Sequence, residues 1–212
     1  MKKVIVGVAR GGTTCAYDTL LRKKEYIDVD TVHVQMLDGR SSTNEWLNPT
    51  FFSEEQIQNN ILFLVEEKTY GREYAWKGLI NQIRPYMKWF KSFYSPEEVY
   101  VIKRRNIWNH YISTMYQESI NYDDAYINII NIPKKYKPMV YNDYVRKTNW
   151  FFHNITDIDN FNHGEVLYYE DHDWGNKTKI LSNYVDYEKH FINFEEIKNH
   201  FDAQYSMYKQ TV

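Results

Sequence analysis

The chain has 212 residues, 43% of them hydrophobic and 25% charged, with 26 basic against 28 acidic side chains and a formal net charge of −2. This balance suits one globular domain spanning 1–212 and argues against bulk nucleic-acid binding, which needs a strong positive excess. A single cysteine, Cys15, excludes a disulfide framework and a cysteine-based zinc site, and no apolar stretch approaches a membrane span.

Val4 to Val8 is a continuous apolar run, the pattern of a strand covered on both faces. The Met-Lys-Lys before it and the shortness of the run do not make a signal peptide, so the expectation is a soluble, cytoplasmic protein. Val32 to Leu37 reads as the second strand. Ser53-Glu-Glu-Gln56 is a capping box, followed by an apolar face of Ile57, Ile61, Leu64 and Val65 that Gly71 can end. Tyr74 to Lys77 reads as the third strand and Val99 to Lys103 as the fourth. A helix then carries Ile107, Trp108, Tyr111, Ile112 and Met115 on one face. Residues 121–138 show no period and are expected to be a substrate-side insertion. Tyr141, Tyr144, Val145, Thr148, Phe152 and Ile155 line another helix, Glu165 to Tyr169 forms the fifth strand, and a last helix begins at Phe194. The alternation predicts an α/β fold with a mainly parallel central sheet flanked by helices.

A parallel sheet presents ligands to the carboxyl ends of its strands, which gives the loop after the first strand its interest. Gly7 and Gly12-Thr13-Thr14 fit the phosphate loop GxxxxGK[ST] except that Thr13 stands at the lysine. Glycines let backbone N–H groups approach an anion, and the helix that follows adds free amides and the positive end of its dipole. Arg10 supplies a charged fork inside the loop. Loss of the lysine disfavours a magnesium-nucleotide kinase. The fourth strand ends in Lys103, Arg104 and Arg105, with Ser113 eight residues after Arg105. Two anion sites on one sheet edge imply a ligand with two separated phosphates.

These two segments resemble the sulfotransferases that use 3′-phosphoadenosine-5′-phosphosulfate (PAPS). Ala9-Arg10-Gly11-Gly12-Thr13-Thr14 is similar to that family's P-[KR]-[SG]-G-T-T loop, with Ala9 in place of proline. Arg105 and Ser113 match its arginine and serine, and the Arg-Arg-Asn form is nearest to bacterial trehalose-type sulfotransferases. The resemblance implies a P-loop NTPase-like sulfotransferase fold and no metal. It implies that Arg10, Gly11, Gly12, Thr13 and Thr14 hold the 5′ end of the donor, that Arg105 and Ser113 hold its 3′-phosphate, and that Lys77 lies beside it. Arg10 would meet the charge that develops on the leaving phosphate, and Glu45, followed by Trp46, would be the base, although the family's nearby proline is absent. Cys15 stands where many members carry an adenine-stacking tryptophan, and no C-terminal Arg-Lys-Gly loop is present. Tyr168 to Gly175, "YYEDHDWG", resembles the family's late Tyr-Glu-Asp. Asp171, His172 and Asp173 there lack a second His or Cys cluster, and a structural role is expected.

The expected activity is transfer of a sulfuryl group from PAPS to a hydroxyl of a carbohydrate or other small molecule, leaving the desulfated product PAP. Two alternatives stay open from the residues: a P-loop nucleotide or small-molecule kinase, and a non-catalytic PAP-binding interaction domain of the same fold.

Overall fold

The computed structural model describes residues 2–21, 27–28, 34–35, 41–42, 53–59, 62, 74–119, 138–174 and 187–211. They fall into two compact units, one of residues 1–103 with 160–172, the other of 104–159 with 173–212.

The first unit is built on a parallel sheet of five strands: β1 (Lys2–Gly7), β2 (Ile27–Asp28), β5 (Tyr74–Leu79), β6 (Val99–Lys103) and β7 (Glu165–Tyr168). Their order is β2-β5-β1-β6-β7, and every neighbouring pair is parallel. The α/β, parallel-sheet expectation therefore holds. β1 is central, and Val4, Ile5 and Val6 are fully buried, as a strand covered on both faces requires. At the far edge, Glu165 and Val166 of β7 are exposed.

Two further strands, β3 (Val34–Gln35) and β4 (Ser41–Ser42), pair antiparallel in a sheet of their own. This corrects the expectation for Val32 to Leu37: Ile27–Asp28 takes the place in the parallel sheet. "VHVQ" alternates apolar and polar residues, which is the pattern of a strand with one covered face, whereas β1 reads as an unbroken apolar run. β5 runs two residues past the expected Lys77, and β6 has the expected bounds.

Helices of the first unit are α1 (Thr13–Leu20), α2 (residues 54–59), α3 (Ile80–Ile83) and α4 (Met87–Phe93). The capping box forms at α2: the Ser53 N–H donates to Gln56 Oε1 at 2.8 Å, and the Gln56 N–H to Ser53 Oγ at 3.2 Å. Ile57 behind it is buried. Ile61, Leu64, Val65 and Gly71 lie outside the described residues. Trp76 of β5 and, after the strand, Ile80, Ile83, Tyr86, Phe90 and Tyr94 are buried, and Trp76 Nε1 donates to Tyr94 Oη at 2.9 Å.

The second unit is helical: α5 (Ile107–Ser119), α6 (Tyr144–Asp159), α7 (Tyr187–His190) and α8 (Phe194–Tyr208). α5 buries Tyr111, Ile112 and Met115. The buried stripe of α6 is Thr148, Phe151, Phe152, Ile155 and Ile158, with Asn154 beside it. Val145, expected on that face, is 45% exposed. The helix starts at Tyr144, so the stripe begins one turn later, at Thr148, and takes in Phe151 and Ile158. Trp108 and Tyr111 of α5 meet Phe201 of α8 with ring centroids 4.9 and 4.7 Å apart. The expected insertion lies outside the described residues apart from Pro138.

Candidate functional site

The topology of the first unit singles out one place. From β1 the chain goes to β2 on one side, and from β6 it goes to β7 on the other, so strand order reverses between β1 and β6. Ligands of open parallel sheets bind outside the carboxyl ends of strands at such a reversal. Gly7 at the end of β1 is in register with Ile102 of β6, one residue before Lys103. The loop from Val8 to Gly12 begins there.

Its backbone is unusual. The Gly11 N–H donates to the Val8 carbonyl at 2.9 Å, closing a four-residue turn. Arg10 is the third residue of that turn and has φ +60°, the only positive φ on a non-glycine among the described residues. Turns with positive φ at this position favour glycine, because a Cβ crowds the backbone there. Gly12, at φ +98°, follows as the N-cap of α1, and its carbonyl accepts the Ala16 N–H at 3.0 Å. Among the described residues, no side chain caps this end of α1. Its first amides are not taken by a cap, and the dipole's positive end meets the loop.

The side chains divide by role. Arg10 is half-buried, and its Nε is enclosed with no hydrogen-bond partner among the described residues. Thr13 is buried, with its methyl against Gly7: a Cβ on Gly7 would lie 2.5 Å from Thr13 Cγ2. Thr14 is exposed. Thr13 therefore fixes the loop against the strand end, and Thr14 presents its side chain to the outside.

Lys77 stands on β5 in register with Ile5, two residues before the strand's end. Its Nζ lies 5.8 Å from the ring centroid of Tyr17, a buried residue of α1 whose Oη donates to the Ala75 carbonyl at 3.0 Å. Lys77 and Arg10 thus belong to the same unit, and Lys77 is on the α1 side of the sheet.

A further residue meets the loop that the motif reading did not place there. A Cβ built on Gly12 would lie 2.1 Å from Cδ2 of Tyr169, so the Tyr169 ring rests directly on the Gly12 backbone. Tyr169 opens the single 3-10 turn, Tyr169–Asp171, that follows β7. The aromatic before Glu170-Asp171 was the available signal. That it reaches past β6 to the β1 loop depends on strand order, which the motif does not carry.

Arg105 and Ser113 belong to the second unit. Arg105 is exposed, and its carbonyl accepts the Ile107 N–H at 3.1 Å; Ser113 is half-buried on α5. Asn106 has a local task, since its Oδ1 caps the helix by accepting the Asn109 N–H at 2.9 Å. His110 is buried in this unit, edge-on to Phe151 at 5.1 Å between centroids. Glu45 and Trp46 lie outside the described residues.

No family model, curated protein or solved structure matches the chain.

Proposed function

We propose that the chain is a PAPS-dependent sulfotransferase acting on a hydroxyl of a carbohydrate or other small molecule, with a P-loop-type donor loop from Ala9 to Thr14. The observation that carries this reading is Arg10. An arginine kept at a backbone angle that favours glycine, with its Nε enclosed and without a partner among the described residues, has a local cost. An anionic ligand that takes up the guanidinium compensates that cost. The place agrees: the loop leaves the central strand at the reversal of strand order and leads into the uncapped start of α1.

In the proposed reaction the acceptor oxygen bonds to sulfur while the bond from sulfur to the 5′-phosphate oxygen breaks, and the acceptor's proton passes to a base. Negative charge grows on the leaving phosphate, and preformed donors aimed at that charge lower the barrier most. Arg10 and the loop amides take this role, and Thr14 adds a hydroxyl. Lys77 would add positive charge from β5. Glu45 is the proposed base, and Arg105 with Ser113 the proposed holders of the 3′-phosphate. Thr13, in the lysine position and packed on Gly7, gives no support to magnesium-nucleotide kinase chemistry.

A thermal-shift series with PAP, AMP and ATP-magnesium tests the reading. PAP at a hundred times its dissociation constant stabilises the fold by about 2.7 kcal/mol, with or without magnesium, and more than AMP at equal concentration. A shift from ATP-magnesium alone would replace the proposal with a kinase.

A further inference from the structure

The loop from Val8 to Gly12 is pinned at both ends. At its start, the Thr13 methyl lies against Gly7. At its end, the three atoms nearest to a Cβ built on Gly12 are Cγ, Cδ2 and Cε2 of Tyr169, so one aromatic ring fills that space. Between the two pins Arg10 stands at φ +60°, in a turn closed by the Gly11 N–H donating to the Val8 carbonyl at 2.9 Å. A non-glycine residue stays in the left-handed region only where the surrounding structure holds it there. Thr13 grips the wrong end for that task, because Gly7 precedes the turn. Gly12 is the joint through which the turn could unwind, since a glycine passes readily between positive and negative φ.

We infer that Tyr169 is a positioning residue: its ring locks Gly12 at φ +98° and thereby keeps the turn at Arg10 in its strained form before any ligand arrives. The inference deepens the donor-loop reading, since a loop set in advance binds an anion without first ordering itself. The ring is mounted on the sheet. Tyr169 follows directly on β7 and opens the turn Tyr169–Asp171, and Tyr168 before it is in register with Lys103 of β6. β6 lies between β1 and β7, so the reach from the end of β7 to the β1 loop calls for a long, stiff side chain. An aromatic ring supplies that reach with few torsions to fix. The atoms that meet Gly12 are ring carbons, which gives the role to the ring and not to the hydroxyl.

The first arm of the test needs no ligand. Hydrogen exchange of the Gly11 amide is followed by NMR in the native chain, Tyr169→Ala and Tyr169→Phe. The amide of the buried Tyr94, which donates to the Phe90 carbonyl at 3.0 Å, reports folding. In Tyr169→Ala the Gly11 amide exchanges about tenfold faster, equivalent to about 1.4 kcal/mol, while Tyr94 is unchanged. Tyr169→Phe keeps the native rate. In an Arg10→Gly background, where the turn has no Cβ to strain it, removing the ring has a much smaller effect. Isothermal titration forms the second arm: PAP affinity falls about tenfold in Tyr169→Ala, in step with the exchange, and stays native in Tyr169→Phe. Unchanged Gly11 exchange in Tyr169→Ala would overturn the inference, and with PAP affinity lost it would make Tyr169 a ligand contact instead. Loss of Tyr94 protection in that variant, phenylalanine as damaging as alanine, or an equal effect in the Arg10→Gly background would overturn it too. A native chain that binds no PAP would end the sulfotransferase reading, and Gly11 exchange would still decide the role of Tyr169.

Discussion

Arg10 takes a conformation in which glycine is free of the Cβ penalty and arginine is not. Relieving a left-handed residue returns roughly 1–2 kcal/mol, against roughly 0.4–1 kcal/mol of extra unfolded-chain entropy from a new glycine. Arg10→Gly therefore leaves stability in urea unchanged or slightly raised, while PAP affinity collapses. A clear loss of stability would make Arg10 a structural residue and remove the main support for the donor loop. Gly12 gives the opposite result. At φ +98°, with the Tyr169 ring on its Cα, Gly12→Ala meets both backbone strain and a clash, and costs roughly 2 kcal/mol or more. Adding Tyr169→Ala restores the steric part of that loss and leaves the backbone part, which urea denaturation of the single and double variants separates. Equal stability of the two variants would mean that the ring contact contributes nothing.

At the scale of elements, the sequence was clearest where one signal dominated. Val4 to Val8 is a short, β-branched apolar run closed by the glycines of the following loop, the pattern of a covered strand, and Val4 to Val6 are fully buried. The Ser53-Gln56 box closes within four residues and could be read from them alone. Val34–Gln35 could be read as a strand but not as a member of a particular sheet, since pairing depends on a partner far from the local pattern. The same limit hid Tyr169: its contact with Gly12 spans 157 positions of sequence, the difference of the two residue numbers, and needs the order β1-β6-β7. Glu45 could be proposed only by resemblance, and it lies outside the described residues.

α7 adds a pH-dependent element. His190 is buried between Tyr116 and Phe191, and its Nε2 lies 3.0 Å from Ser119 Oγ. Burial holds its pKa below the ordinary 6.5. The unfolded chain therefore binds a proton there at a higher pH than the folded one, and the stability this group contributes is complete above 6.5 and falls as pH drops toward the folded value. Melting temperature declines between about pH 7 and about pH 5, and His190→Gln flattens that decline relative to the native chain. Identical slopes for the two proteins would show that His190 is not responsible.

For the whole molecule, the proposal assigns Arg10 to Thr14 to the 5′ end of the donor and Arg105 with Ser113 to its 3′-phosphate. Both sets were proposed from the sequence: the first as a run of glycine, hydroxyl and guanidinium groups between Ala9 and Thr14, the second by resemblance, as an arginine with a serine eight residues on. The acceptor leaves no such local signature. The measurement that bears most directly on the central claim is isothermal titration of PAP and AMP into the native chain and into Arg105→Ala. A charge-assisted contact to the 3′-phosphate is worth about 1.5–3 kcal/mol. The account predicts that PAP binds the native chain more tightly than AMP, and that Arg105→Ala removes this advantage while leaving AMP affinity unchanged. Equal affinity of the native chain for PAP and AMP, or an equal loss for both in Arg105→Ala, would contradict it.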